Sequence, residues 1–226
     1  MPISEVYNMD CLDYMRGIPD KFFDLCIADP PYGINAAKMN MGNTKHKPIA
    51  NRRWTKKGWD TSIPHDDVFR EMLRVSKHAI IWGGNYFPLP STNAWIVWDK
   101  GYDGKLSFSD GEMAWTNLPI NMRIHRIIRQ NTLNYDATRI HPTQKPVALY
   151  SWILDNYAIG GGKIFDPFLG SGSSRIAAYK KGFDFYACEL DADYYKAQEE
   201  RFQRECLGVQ TINGVSIKQG ELFGFE

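Results

Sequence analysis

The sequence lacks the features of a membrane-spanning, disulfide-rich or thiolate-metal protein. No apolar run reaches the roughly 18 residues that a spanning helix needs. Met1 to Glu5 does not form the basic and then apolar start of a signal peptide. The cysteines are scattered, without a C-x-x-C pair, which argues against a disulfide framework and a thiolate metal site. We therefore expect a soluble, intracellular protein with reduced thiols at Cys11, Cys26, Cys188 and Cys206.

The chain also lacks a strong overall charge, since the formal net charge is only +1. The basic residues are nevertheless concentrated in two windows, 36–60 and 123–145. Such clustering is what a surface that contacts phosphates needs, and two solvated loops are the alternative interpretation. The candidate DNA-contacting residues in these windows are Lys45, Lys47, Arg52, Arg53, Lys56, Lys57, Arg123, Arg126 and Arg129.

Short apolar strands alternate along the chain with helical segments, which predicts an α/β fold with a mostly parallel, doubly wound sheet. A chain of 226 residues fits one domain, 1–226. Within it we predict a mobile basic loop at 36–62, a short recognition insertion without periodicity at 117–140, and a tail at 207–226. Helices are predicted at 64–77, 147–157, 175–181 and 191–206. Strands are predicted to end before Asp29, at Trp82, near Asp99 and Thr116, at Asp166, and at Cys188.

The stretch Asp29-Pro30-Pro31-Tyr32 follows the apolar run 22–28. Neither proline can donate to a sheet ladder, so the strand ends here and Asp29 lies at its carboxyl end. Ligands collect at that edge in open α/β sheets. The carboxylate and the Pro30 carbonyl can accept hydrogen bonds from an exocyclic amine, and the Tyr32 ring can stack on its base. A strand end with a prolyl turn is the structural alternative.

A second candidate site is the glycine turn that runs from Asp166 through Phe168 and Gly170 to Gly172. Glycines between a strand and a helix let the backbone approach a ligand and leave N–H groups free. Glu189 closes the next strand, at the spacing at which nucleotide-binding units place a carboxylate on ribose hydroxyls. Because a third glycine is missing, the pattern predicts an adenosine site without a pyrophosphate clamp.

With His141-Pro142-Thr143-Gln144-Lys145-Pro146, these motifs closely resemble the amino-methyltransferases of DNA in their circularly permuted β arrangement. The resemblance spans about residues 7–202. It implies a class I methyltransferase fold, with a seven-stranded Rossmann-like sheet and helices on both faces, and S-adenosylmethionine as methyl donor. It also implies a cytoplasmic enzyme of bacterial or phage origin that works on nucleoid DNA.

The resemblance also implies roles for single residues. Asp166, Phe168, Gly170, Ser171 and Gly172 match the family's methionine-binding turn, and Glu189 matches its ribose-binding acid. Asp10 and Cys11 match the segment at the adenine of the cofactor, Thr143 and Lys145 fall near its methionine carboxylate, and Asp29 is expected to contact the cofactor as well as the amino group. Gly83 and Asn85 are expected to shape the target pocket. No metal is required.

The expected chemistry is methyl transfer to an amino nitrogen whose lone pair is delocalised into the base. Asp29 and the Pro30 carbonyl would hold both N–H groups, while Pro31 and Tyr32 complete the catalytic motif and Tyr32 stacks on a flipped-out nucleotide. In the family, Asp at the first motif position favours adenine N6. Cytosine N4, an RNA base, a catalytically silent binding subunit and a dinucleotide oxidoreductase are the alternatives.

The C-terminal tail contains a Gln-x-x-Leu-Phe spacing at Gln219, Leu222 and Phe223. It resembles short peptides that dock into bacterial sliding clamps, with an edge strand or a packed tail as the alternative. The sequence leaves open the oligomeric state, with a homodimer as one alternative, the DNA recognition sequence, and any restriction partner.

Overall fold

The computed structural model describes residues 1–34, 60–101, 109–128, 139–212 and 215–218. Most of the predicted basic loop and the end of the tail therefore lie outside the described residues. In the part that is described, no helix has both the length and the apolar character needed to cross a membrane.

Strands and helices alternate along the described chain. The strands are β1 (Ser4–Tyr7), β2 (Phe23–Ala28), β3 (Ser76–Trp82), β4 (Trp95–Asp99), β5 (Gly111–Thr116), β6 (Arg123–Arg126), β7 (Lys163–Asp166), β8 (Asp184–Cys188), β9 (Val209–Ile212) and β10 (Val215–Lys218). The helices are α1 (Cys11–Arg16), α2 (Asp66–Val75), α3 (Val147–Tyr157), α4 (Ser173–Lys180) and α5 (Ala192–Phe202), which a π-helical turn, Gln203–Leu207, extends.

The described strands form an eight-stranded sheet in the order β1-β8-β7-β2-β3-β5-β4-β6, and β9 and β10 form a separate hairpin. In the part of the sheet that runs β1-β8-β7-β2-β3, each strand is parallel to the next. β5 runs antiparallel to both β3 and β4. The predicted α/β fold with a mostly parallel sheet is confirmed, but the sheet has eight strands among the described residues instead of the seven that the resemblance implied.

The eighth strand, β6, lies in the segment predicted as an insertion without periodicity. It pairs in parallel with β4, with Ile96 opposite Arg123. The His125 ring stacks on Trp152 of α3 with centroids 4.1 Å apart. Three of its four residues are basic, so the strand forms through this tertiary pairing and stacking rather than through an apolar pattern.

Helices cover both faces of the sheet, as two buried clusters show. Along β2, Leu25 and Ile27 pack with the α3 and α4 side, while Cys26 and Ala28 pack with the α1 and α2 side. This alternation follows from the period of two in a strand. It explains why β2 reads as a continuous apolar run, as strands buried on both faces do.

The sheet geometry brings the two sequence motifs to one edge. β2 and β7 are parallel neighbours, with Cys26 opposite Phe165. Asp29 directly follows β2 and Asp166 ends β7, so both motifs lie at the carboxyl edge of the parallel strands. The predicted bounds of α3 and the predicted ends of β5 and β8 match the structure. The predicted helix 64–77 instead ends at Val75, because Ser76 already pairs with Phe23 in the sheet.

Candidate active site

One cavity of about 880 Å³ contains residues of both candidate sites. This volume is near the upper end of the range for ligand pockets, roughly 300–1,000 Å³. From the first motif it is lined by Asp29, Pro30, Pro31 and Tyr32, and from the second by Phe168, Gly170, Ser171 and Glu189. The Asp29 motif and the glycine turn thus share one cavity.

Asp29 lies at the centre of a group of buried polar contacts. Its Oδ1 accepts a hydrogen bond from the Tyr32 hydroxyl at 2.8 Å and lies 2.5 Å from the Nζ of Lys145. The Lys145 side chain is only 3 % exposed. Burial raises the pKa of the Asp29 carboxyl, and the Lys145 ammonium acts in the opposite direction. The carboxylate is therefore fixed in position while one side of it faces the cavity.

Lys145 also contacts a second carboxylate, that of Glu112 at the start of β5, at 3.1 Å. Glu112 in turn lies 2.7 Å from the Nζ of Lys100, which follows β4. Both residues line the cavity. The resemblance implied a place for Lys145 near the carboxylate of the cofactor, but its ammonium contacts Asp29 and Glu112 in the structure.

The Tyr32 ring is held between a glycine and a second tyrosine. Gly83 has φ +67°, and a Cβ at this position would lie 2.3 Å from Cε1 of Tyr32. Only glycine therefore allows this ring position. Tyr86 stacks on Tyr32 with centroids 5.1 Å apart and 12° between the planes. Asn85, predicted with Gly83 to shape the target pocket, also lines the cavity.

Glu189 fixes the glycine turn through its carboxylate. Its Oε2 accepts a hydrogen bond from the Gly170 N–H at 2.8 Å, and its Oε1 accepts one from the Asp191 N–H at 2.8 Å. Gly170 has φ +52°, a conformation that L side chains rarely adopt. The carboxylate can still accept further hydrogen bonds, because each oxygen has two lone pairs.

Asp166 supports the turn from beneath, where it is 2 % exposed. It accepts hydrogen bonds from the Phe168 N–H at 3.0 Å and from the Ser174 hydroxyl at 2.5 Å. Burial raises its pKa to about 7, against the effect of these hydrogen bonds. Gly172 packs against α5, where a Cβ would lie 3.2 Å from Cβ of Gln198. Both residues therefore shape the turn from behind the cavity wall.

The remaining predicted cofactor residues lie on the cavity wall. Asp10 caps α1 by accepting from the Leu12 N–H at 2.7 Å, and burial raises the pKa of the Cys11 thiol to about 12. That thiol stays protonated at neutral pH and serves as apolar surface. Thr143 contacts Nδ1 of His141 through its hydroxyl at 3.1 Å.

The predicted DNA-contacting residues are only partly described. Arg123 and Arg126 are exposed on the edge strand β6, and Arg126 Nε lies 2.7 Å from Asp99. Lys45, Lys47, Arg52, Arg53, Lys56, Lys57 and Arg129 lie outside the described residues, as do Gln219, Leu222 and Phe223 of the predicted clamp motif. The clamp interaction stays a prediction for a pull-down with and without Leu222 and Phe223.

Sequence reasoning missed Glu112, Lys100 and Tyr86, which extend the Asp29 group. The available signal was one acidic residue, Glu112, near the start of an otherwise uncharged strand. Its partners Lys100 and Lys145 are distant in sequence, so no local spacing could reveal the contacts.

Comparison with known proteins identifies similar chains. A family model described as DNA methylase matches residues 81–200, more than half of the chain. The putative methylase YubD of Escherichia coli (strain K12) is 24% identical over 211 residues, covering 88% of this chain and 90% of that protein.

Two solved structures share the fold. The first is TTHA0409, a putative DNA modification methylase from Thermus thermophilus complexed with S-adenosyl-L-methionine. It has a TM-score of 0.55 and 18% identity, covering 96% of this chain and 97% of that chain. The second is the PvuII DNA methyltransferase, described as cytosine-N4-specific, with a TM-score of 0.56 and 15% identity over 89% of this chain and 87% of that one.

Proposed function

Because the chain belongs to the DNA methylase family of N6 and N4 amino-methyltransferases, which use S-adenosylmethionine, we propose that it methylates the exocyclic N6 of adenine in DNA. The observation that carries the proposal is the single cavity in which the Asp29 motif and the Gly170 turn face a common space.

The residues around the Gly170 turn fit S-adenosylmethionine. Gly170 lines the cavity and carries no side chain, so the backbone of the turn borders this space directly. Glu189 offers carboxylate oxygens to ribose hydroxyls, and the apolar Cys11 and Phe168 suit the planar adenine and the aliphatic carbons of the methionine chain. Bound S-adenosylmethionine supplies an electrophilic methyl group on a sulfonium sulfur.

The chain's own contribution is to make an amino nitrogen reactive. Asp29 and the Pro30 carbonyl accept the two N–H groups, which favours a pyramidal nitrogen with its lone pair directed at the methyl group. The Asp29 carboxylate also stabilises the positive charge that develops on that nitrogen. The hydrogen bond from Tyr32 and the contact with Lys145 hold the carboxylate in place beforehand.

Reaching the amino group of a duplex requires the nucleotide to leave the stack, at a cost of about a few kcal/mol. Stacking on an aromatic ring contributes about 1–3 kcal/mol per base and offsets this cost. In our proposal the stacked pair of Tyr32 and Tyr86 at the cavity supplies that aromatic surface. The basic residues at 45–57 and 123–129 are proposed to contact phosphates.

Cytosine N4 is the second candidate, because the PvuII enzyme of similar fold is described as cytosine-N4-specific. Purified protein, DNA and S-adenosylmethionine are incubated, and the digested nucleosides are analysed by mass spectrometry. We expect N6-methyladenine. N4-methylcytosine alone would overturn the adenine assignment, and unmodified DNA with methylated RNA would overturn the DNA assignment.

A further inference from the structure

Four charged side chains form an alternating series that begins at the reactive motif. Asp29 contacts Lys145 at 2.5 Å, Lys145 contacts Glu112 at 3.1 Å, and Glu112 contacts Lys100 at 2.7 Å. The chain positions that supply them, 29, 145, 112 and 100, belong to separate segments that meet at the cavity.

Lys145 creates a problem for the proposed chemistry. An ammonium at 2.5 Å competes with the amino group of the base for the same carboxylate oxygen. Glu112 lies at ion-pair distance from the same ammonium, so the charge of Lys145 is shared between two carboxylates. Lys100 balances Glu112, so the buried group carries as many positive as negative charges.

We infer that Glu112 is a positioning residue for methyl transfer, which holds the Lys145 ammonium between two carboxylates and so leaves Asp29 able to accept the amino group. This inference rests on the proposed function. Glu112 itself does not need to touch the base or the cofactor.

The charges agree with this role. Burial acts to raise the pKa of Glu112, but Lys145 and Lys100 lower it to about 2, so the group is ionised at neutral pH. Burial raises the pKa of Asp29, and the charge of Glu112 adds to this rise. The pKa of Lys145 is raised by Asp29 and Glu112 against the effect of burial.

The other ionisable groups around Asp29 are Tyr32 in its own loop and Asp166 at the end of β7, and Tyr150 of α3 acts on Tyr32. The charge of Glu112 also raises the pKa of Tyr32, so a change at position 112 acts on this hydroxyl as well as on Asp29. Removing the Glu112 charge therefore lowers the pKa of both Asp29 and Lys145, and the acid limb of the pH profile, which follows the ionisation of Asp29, moves to lower pH.

The test is Glu112→Gln in the full-length protein. We expect kcat to fall about 10-fold, less than the roughly 10²–10³-fold loss typical of removing a group that acts on the reacting atoms. The KM for S-adenosylmethionine is expected to stay the same, and the acid limb of kcat against pH to move to lower pH. The control is Glu71→Gln, which removes an acid paired with Arg74 on α2.

A second variant, Glu112→Asp, keeps the charge if Glu112→Gln fails to fold. We expect it to lower kcat while leaving the acid limb where the wild type has it. The ionisation of Asp29 is followed in parallel by the ¹³C shift of its carboxyl carbon, assigned with Asp29→Asn, and needs no turnover.

The outcomes distinguish a failure of the proposed function from a failure of the positioning role of Glu112. If the wild type is inactive but the titration of Asp29 still moves in Glu112→Gln, the proposed function is contradicted and the charge coupling is supported. If the wild type is active, and Glu112→Gln has the pH profile and the Asp29 titration of the wild type, only the positioning role is overturned.

Discussion

The Nζ atom of Lys145 lies 2.5 Å from Oδ1 of Asp29, and both side chains line the same cavity. The two residues are 116 positions apart, and the fold joins them through the loop after β2 and the loop before α3. The ion pair couples the motif proposed to hold the amino group to the segment that the resemblance assigned to the cofactor. Changes at either residue are therefore expected to affect methyl transfer.

Asp29→Asn keeps the size of the side chain and removes its charge. We expect kcat to fall by about 10²-fold or more, because the charge that stabilises the developing positive nitrogen is lost. Single-turnover methyl transfer at saturating cofactor measures the effect. Asp20→Asn, which changes a 74 % exposed acid paired with Arg74, is the control. Near-normal transfer by a folded Asp29→Asn protein would contradict the amine-holding role.

Gly83→Ala tests the position of the Tyr32 ring. The new Cβ meets Cε1 of Tyr32 at 2.3 Å, and φ +67° adds backbone strain of about 1–2 kcal/mol. Gly161→Ala is a matched control, because its φ is +75° and a Cβ there has no neighbour within 4 Å among the described residues. We expect a larger loss of unfolding free energy, and a loss of activity, only for Gly83→Ala. Equal losses in denaturant titrations would show that the ring moves freely.

Glu189→Gln replaces a carboxylate oxygen that accepts a backbone N–H with an amide group that cannot accept it. A hydrogen bond to a charged group contributes about 1.5–3 kcal/mol. We therefore expect the Kd for S-adenosylmethionine to rise about 10-fold to 100-fold, with a smaller effect on kcat at saturation. Calorimetric titration measures this, with the exposed Glu200→Gln as control. An unchanged Kd would show that residues other than Glu189 contact the ribose.

Asp166 predicts a pH dependence of stability. Its folded-state pKa of about 7 lies above the ordinary value of 3.8, so the folded protein holds the proton longer than the unfolded chain. Stability is then lost as the pH rises toward 7, by about 2 kcal/mol between roughly pH 5 and pH 7. Asp166→Asn should remove this loss, since the amide oxygen still accepts from the Phe168 N–H and its NH2 group can donate to the Ser174 hydroxyl oxygen, without a charge. Unfolding free energies are measured by urea titration at each pH. If they fall equally with pH in the wild type and in Asp166→Asn, the dependence does not come from Asp166.

The basic window outside the described residues is tested through salt dependence. Each neutralised phosphate contributes about 0.9 to the slope of log K against log salt for duplex DNA. Replacing Arg52, Arg53, Lys56 and Lys57 together by Gln should lower that slope by up to about 4. The control is Arg126→Gln, because Arg126 already pairs with Asp99 and should change the slope less. An unchanged slope in the quadruple variant would show that these four side chains do not contact phosphates.

The sequence predicted the elements that carry their own local signals. α3 begins after Pro146 and ends before a run of three glycines, and β8 is a continuous apolar stretch, so both bounds were readable. The turn at Gly170 was also readable, because a strand, closely spaced glycines and a helix follow one another there. Such signals need no tertiary information.

The features that sequence reasoning missed depend on distant partners. β6 has one apolar residue in four, and it becomes a strand because β4 offers hydrogen bonds and Trp152 stacks on His125. The partners of Lys145 became visible only when Glu112 and Asp29 were located in space. Charge pairs of this kind leave no periodicity in the chain.

The reversed direction of β5 has a consequence for protein engineering. Because β4 ends and β5 begins at the cavity, Lys100 and Glu112 anchor the two ends of one connector, and the backbone bond from Lys100 N–H to Asp110 closes it. The anchors are set by strand hydrogen bonds. Substitutions in the connector are therefore expected to leave the contact between Lys100 and Glu112 in place.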